Sequence, residues 1–281
     1  MALAEHAAVT SHAAPTDAVG GGRVRSFGRT VVLPLGFALV CIVAWELACR
    51  LFKISPVLLA PPSAVWTVLS TNYAILFEQA IPTTVETVES FVLATGLGIV
   101  LGIAITMSAR VREALYPNIV VFQLIPKIAL APLFIVWLGV GSPSRLTFAV
   151  FIAFFPVVVS TAAGLVSAKP EAVRLCRALT AGELQIFRMV RFPFAVPYIF
   201  AGMKIGVTMA MIGVIVGEFI TAQAGLGYII MFGSSAAETA LVLAAIVLLC
   251  VIGLVLYGAV ALGELAMKRW YGGDIPAAGF V

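Results

Sequence analysis

The sequence predicts an all-α membrane protein with six transmembrane helices, and three observations lead there. The first is composition: of 281 residues, 62% are hydrophobic and 11% charged, with a mean hydropathy of +1.12, whereas soluble domains are roughly half apolar and a quarter charged. The second is run length, because about 20 apolar residues are needed to cross a hydrocarbon core of roughly 30 Å. Six such runs occur, at residues 31–52, 86–109, 117–139, 146–166, 194–220 and 240–266. The third is where the cations fall.

Those cations sit at the ends of the apolar runs, and counting them orients the chain by the positive-inside tendency. One side receives Arg23, Arg25, Arg29, Arg110, Arg112, Lys169, Arg174, Arg177, Arg188, Arg191, Lys268 and Arg269; the other receives Arg50, Lys53 and Arg145. Both termini are therefore expected in the cytoplasm. Spread this way, a formal net charge of +4 reports orientation and does not form a nucleic-acid patch.

In chain order, residues 1–29, rich in Ala, Gly and Thr, are expected to form a flexible cytoplasmic tail. The arginines before the first run mimic a signal peptide, but the run is long and lacks a clear small-residue cleavage site, so it is expected to stay as an anchor. Residues 30–270 then make up one membrane domain, with residues 271–281 as a C-terminal tail. After the first span, SPVLLAPPSAVWTVL is too broken to cross and suits an interface. In the second run Gly96, Gly98 and Gly102 leave room for a close neighbour, as do Gly202, Gly206, Gly213 and Gly217 in the fifth.

The third run, QLIPKIALAPLFIVWLGVG, carries Pro126 and Pro132, each of which removes a backbone donor and kinks a helix. Broken helices persist in membranes where the freed backbone faces protein or a water-filled cavity. Gln123 and Lys127 flank Pro126 and are the preferred pore-lining pair, with Pro126, Pro132 and Glu218 as further candidates. Glu218 suits either a solvated rim or a buried hydrogen bond. Lys204, near the basic loop, is expected to snorkel toward the interface.

The loop at 168–192 is the longest interruption between the two hydrophobic halves. Pro170 and Glu171 suit the first turn of a helix, and Ala172, Leu175, Cys176 and Leu179 recur at helical spacing with Arg174 and Arg177 opposite. After a turn near Thr180 to Gly182, a second helix gathers Ile186, Phe187, Met189 and Val190 on one arc against Gln185, Arg188 and Arg191, and Phe192-Pro193 is expected to end it. Such a segment either lies on anionic headgroups or docks a soluble partner.

Catalytic and metal sites are not expected. Cys41, Cys49, Cys176 and Cys250 lack CxxC spacing, and the two histidines, His6 and His12, lie in the tail. The sequence has no GxxxxGK[ST] phosphate loop, GxSxG elbow or HExxH pair. Energy for uphill transport would have to come from another chain. A self-sufficient ion-coupled carrier would need coupling-ion ligands within the membrane and often two similar halves.

With AWELACRLF…LLAPPSAVW, PTTVETVESFVLATGLGIVLGI, PKIALAPLFIVWLGVG and GEFITAQAGLGYII on view, residues 30–270 resemble the transmembrane permease subunit of binding-protein-dependent ATP-binding-cassette importers, in the nitrate, sulfonate and taurine branch. The family's cytoplasmic signature is Glu-Ala-Ala, three residues, Gly, nine residues, then Ile-x-Leu-Pro. Val190-Arg191-Phe192-Pro193 matches its second half. The first half departs, because Arg174, Leu175 and Cys176 stand at Glu-Ala-Ala and Thr180 stands at Gly. The turn is therefore expected to use Gly182, with Glu171 replacing the missing acid.

The resemblance implies a type I ABC importer permease fold in the bacterial inner membrane, whose coupling segment sits in a cleft of a cytosolic ATPase dimer. Glu171, Arg174, Leu175, Cys176, Arg177, Leu179, Thr180, Gly182, Gln185, Phe187, Arg188 and Pro193 would belong to that contact. It further implies a second permease copy, an external solute-binding protein, and ATP and Mg held by the ATPase, with no cofactor here. The cargo would be a small anion such as a sulfonate, taurine or nitrate; permeases for a thiamine precursor, riboflavin or an aromatic acid look alike.

Overall fold

In the computed structural model, residues 22–221 and 223–271 are described, and all of their regular elements are helical. The expected tails at 1–29 and 271–281, including His6 and His12, fall almost wholly outside them. Residues through Lys53 form one unit and those from Ile54 another. The first is α1 (Gly22–Leu51), whose apolar stretch Val32–Leu51 is 20 residues long. Near its end Arg50 pairs with Glu46 at 2.6 Å, and Lys53 turns the chain at φ 49°.

In the second unit, Pro61 and Pro62 start α2 (Pro62–Thr71), the short piece read from sequence as interfacial. It packs beside α11 (Thr239–Tyr271), with Ala60 and Val65 in one apolar cluster with Leu76, Ala80, Leu226, Ala244 and Leu249. That cluster explains why α3 (Tyr73–Met107) begins at 73 and not at 86: Leu76 and Ala80 are buried, so the turns before the apolar run are held by packing. At 35 residues, α3 is about 52 Å long at 1.5 Å per residue.

The third apolar run is not one straight rod. Helices α4 (Ala109–Leu124) and α5 (Ala131–Leu138), joined by a 3₁₀ turn at Lys127–Leu130, meet at 85°. Pro126 stands at this break, as its missing donor requires. Pro132 is in the first turn of α5, where no N–H is needed, and so does not kink a helix. By length and composition there are five spans among the described residues, or six if this bent pair counts as one.

Central to the bundle is α6 (Ser142–Val166), against which α3 and α9 (Phe192–Thr221) pack. The approach is close enough that a Cβ on Gly213 would lie 2.6 Å from Ala149 Cα, and one on Gly102 would lie 2.7 Å from Thr161 Cβ. Small residues at these crossings let dispersion act where lipid supplies no hydrophobic drive. The remaining elements are α7 (Pro170–Ala178), α8 (Glu183–Ile186) and α10 (Leu226–Ser235).

Candidate functional site

The polar chemistry collects at the two ends of the α3–α6–α9 bundle. At one end lies the basic segment. Helix α7 closes with Thr180 N–H donating to the Arg177 carbonyl and Ala181 N–H donating to the Cys176 carbonyl, both at 3.0 Å. This is a Schellman closure, which puts the intervening residue in the left-handed region. That residue is Thr180, at φ 61°, while Gly182 has φ −71°. The turn therefore falls at Thr180 and not at Gly182 as expected, because these two hydrogen bonds, and not the position of a glycine, locate it.

Gly182 instead caps α8, donating its N–H to Gln185 Oε1 at 2.8 Å. Arg177 clamps the two helices through Nη2 and Nε to Glu183 Oε1, at 2.8 and 3.2 Å. Glu171 lies 3.8 Å from Arg174 on open surface, and the hydrogen bonds that close the turn run between backbone groups of 176–181. From Phe187 to Arg191 the chain takes a π turn in which Phe192 N–H reaches the Phe187 carbonyl. The wider turn carries the chain into α9 with Pro193 in its first turn, so Phe192-Pro193 does not end the helix; a continuous apolar helix runs Glu183–Thr221.

The same π turn redistributes the second arc. Ile186 and Val190 are buried and Phe187 is half-buried, its ring 6.0 Å from that of Phe192, whereas Met189 is exposed. On α7, Ala172 and Cys176 are half-buried but Leu175 and Leu179 face outward. Leu175, Leu179, Leu184 and Met189 are thus 63 to 72% exposed, among exposed Arg174, Arg177 and Arg188.

About 25 Å away along α3, the other end holds a network that sequence reasoning missed. Arg145 of α6 forms a two-pronged pair with Glu86 of α3, Nη2 to Oε1 at 2.5 Å and Nε to Oε2 at 2.9 Å, and donates through Nη1 to Thr221 Oγ1 at 3.1 Å. Both charged side chains are 7% exposed. Charge counting alone places Arg145 on the outer side, between two runs, whereas it is buried in the first turn of α6. Its available signal was Glu86, a carboxylate in an apolar run, which demands a partner.

Beside this pair, Glu218 is enclosed, so it does not line an open pathway within this chain. Its Oε1 accepts from Thr83 Oγ1 and its Oε2 from Gly227 N–H, each at 2.7 Å. Leu226 N–H donates to Thr83 Oγ1 at 2.9 Å and Gly225 N–H to Gln79 Oε1 at 2.7 Å. The Gly225, Leu226 and Gly227 amides opening α10 thus end on side chains of α3 and α9, and a carboxylate sits at the positive end of the helix. Gly225, at φ 101°, allows the approach.

The remaining candidates lie between these ends. Gln123 is half-buried at the close of α4. The Lys127 ammonium lies 4.8 Å over the Phe155 ring beside the break at Pro126. Lys204 does not simply snorkel: it pairs at 2.6 Å with Glu264 of α11, which also takes Lys268 at 2.6 Å.

The profile of the binding-protein-dependent transport system inner membrane component family matches residues 94–269. The formylaminopyrimidine transport permease protein ThiX of Halalkalibacterium halodurans is 33% identical over 69% of this chain and 78% of its own length. The taurine transport system permease protein TauC of Escherichia coli is 30% identical over 78% of this chain and 82% of its own. The riboflavin transport system permease protein RibX of Chloroflexus aurantiacus is 30% identical over 88% and 94%. Among solved structures, an inward-facing conformation of the MetNI methionine ABC transporter superposes with a TM-score of 0.59 at 19% identity, covering 69% of this chain and 97% of that one. The fold is that of the type I importer permeases.

Proposed function

Because this chain belongs to the binding-protein-dependent transport system inner membrane components, and so is a multi-pass permease of ABC importers, we propose that it couples a cytosolic ATPase dimer to a translocation pathway. In this reading two copies form the pathway, and an external solute-binding protein delivers the cargo. ATP and Mg are bound by the ATPase. The basic segment and both termini face the cytoplasm of a bacterial inner membrane.

The observation that carries this reading is the 170–191 segment. A Schellman turn and the Arg177–Glu183 clamp make it stiff, and it presents Leu175, Leu179, Leu184 and Met189 outward amid arginines. The π turn joins it to α9 without a flexible break. A stiff element continuous with a central bundle helix transmits motion, provided the ATPase binds one arrangement of the bundle better than the other.

For the cargo we favour a small anion, a sulfonate, taurine or nitrate. Lys127 beside Gln123 at the break of the third run supplies positive charge at mid-chain depth, and the taurine relative points the same way. A second reading, a thiamine precursor or riboflavin, is favoured by the formylaminopyrimidine and riboflavin relatives.

Replacing residues 174–188 with a neutral flexible linker tests the coupling role. Uptake and ATPase co-purification should be abolished while membrane insertion persists; unchanged uptake overturns the reading. Ligand screening of the solute-binding protein that co-purifies with this permease decides between the cargoes.

A further inference from the structure

Two cavities adjoin at the basic end of the bundle. One, of about 880 Å³, lies under α7 and α8 and is lined by Arg112, Arg174, Arg177 and Arg191 together with apolar residues such as Ile103 and Phe187. The other, of about 470 Å³, is walled by Tyr116, Pro117, Ala162 and Ala163 between α4 and α6. Arg112 and Val166 belong to both. Each volume is within the roughly 300 to 1,000 Å³ that holds a small organic ligand.

The charges of this double cavity are unbalanced. Four arginines face two carboxylates, Glu113 and Glu183, and Glu183 is already taken by Arg177, with Arg191 at 4.0 Å. Arg112 is half-buried, and no ion pair among the described residues includes it. Arg174 has only the open-surface contact to Glu171 at 3.8 Å. A half-buried guanidinium without a carboxylate is costly to keep dry and favours a phosphate or another anion beside it.

We propose that this double cavity binds one anionic phospholipid, its phosphate held by Arg112 and Arg174 and one acyl chain lying in the smaller, apolar cavity. The occupant must combine an anion with an apolar body, because the arginine-lined space opens onto a mostly apolar one at Arg112. Its depth, at the basic ends of membrane helices, is that of headgroups on the side where anionic lipid attracts Lys and Arg. The site makes the placing of α7 across the cavity from α4 depend on lipid charge. It rests on the orientation given above but not on the ATPase contact.

Native mass spectrometry of the full-length chain in detergent, titrated with phosphatidylglycerol or phosphatidylcholine, tests it. Phosphatidylglycerol should bind in preference, Arg112→Ala should weaken it about fivefold for the charge removed, and Lys169→Ala, an exposed cation outside both cavities, should leave it unchanged. Ala163→Phe, which fills the apolar cavity from its open side, should also weaken it, so that the test survives if Arg112→Ala fails to fold. Equal binding of the two lipids overturns the proposal, as does displacement of phosphatidylglycerol by millimolar inorganic phosphate, which would indicate a free-anion site. Either failure leaves the permease reading standing, since uptake is measured separately.

Discussion

Arg145 and Glu86, 59 residues apart in the chain, meet as a two-pronged ion pair with both side chains 7% exposed, and so join α6 to α3 at the end of the bundle away from the basic segment. Removing one member leaves the other charged and enclosed, which costs about 3–5 kcal/mol, whereas removing both costs much less. Arg145→Ala and Glu86→Ala should each lower the thermal midpoint of the detergent-purified protein sharply, with the double variant closer to wild type. Single variants as stable as the wild type would show that the pair does not hold α6 on α3.

Glu218 is the acceptor for both Thr83 and Gly227. Glu218→Ala strands the buried Gly227 amide and leaves the Thr83 hydroxyl donating only its longer bond, to the Gln79 carbonyl at 3.3 Å, for a loss of about 1–3 kcal/mol from the amide. Glu218→Gln keeps an acceptor in the same place and should lose less. Comparing unfolding midpoints of the two variants tests the ordering, and protease sensitivity in Leu226–Ser235 reports whether α10 is released.

At Gly225, φ is 101° and an added Cβ would lie 2.0 Å from Glu218 Oε1. Gly225→Ala combines left-handed strain with this clash and should cost about 2 kcal/mol or more. Gly36→Ala, inside α1 with nothing within 4 Å of an added Cβ, is the control and should not lower the midpoint, since alanine favours a helix interior over glycine.

Thr180 is a β-branched residue at φ 61°, a conformation that costs roughly 1–2 kcal/mol for a residue with a Cβ. Thr180→Gly removes that strain, partly offset by a more flexible unfolded chain. The expected result is slower hydrogen exchange at the Thr180 and Ala181 amides, which close the turn. Faster exchange would mean that Thr180 is favourable where it stands.

Arg177 and Glu183 are both more than half exposed, so Arg177→Ala should change global stability by less than about 1 kcal/mol. Its effect should be local: faster hydrogen exchange across 170–186 with the rest of the bundle unaffected. Uptake reduced beyond what stability explains would tie the clamp's stiffness to transport.

Much of this architecture was legible beforehand because it is written in short-range pattern. Runs of apolar residues located α1, α6, α9 and α11, and Pro126 marked the break that the structure bends by 85°. Misreadings came where a local rule met a competing one. Thr180 took the position assigned to Gly182 because two backbone hydrogen bonds fixed the turn. Pro193 failed to end a helix because a π turn absorbed it, and Met189 faced outward for the same reason.

Hydropathy, helical period and charge at run ends, which depend on neighbours within a few residues, are enough to establish a helical membrane protein from sequence alone; the family rests on longer motifs, such as PKIALAPLFIVWLGVG and GEFITAQAGLGYII, and on the relatives that the chain matches. Which polar groups meet is another matter. Glu86 with Arg145, Glu218 with the amides of α10, and Lys204 with Glu264 are pairings between helices distant in the chain, decided only when close crossings such as Gly213 on Ala149 set the relative positions of α3, α6, α9 and α11. In a membrane interior a buried charge must find its partner inside the protein, and only the packed bundle determines which one is within reach.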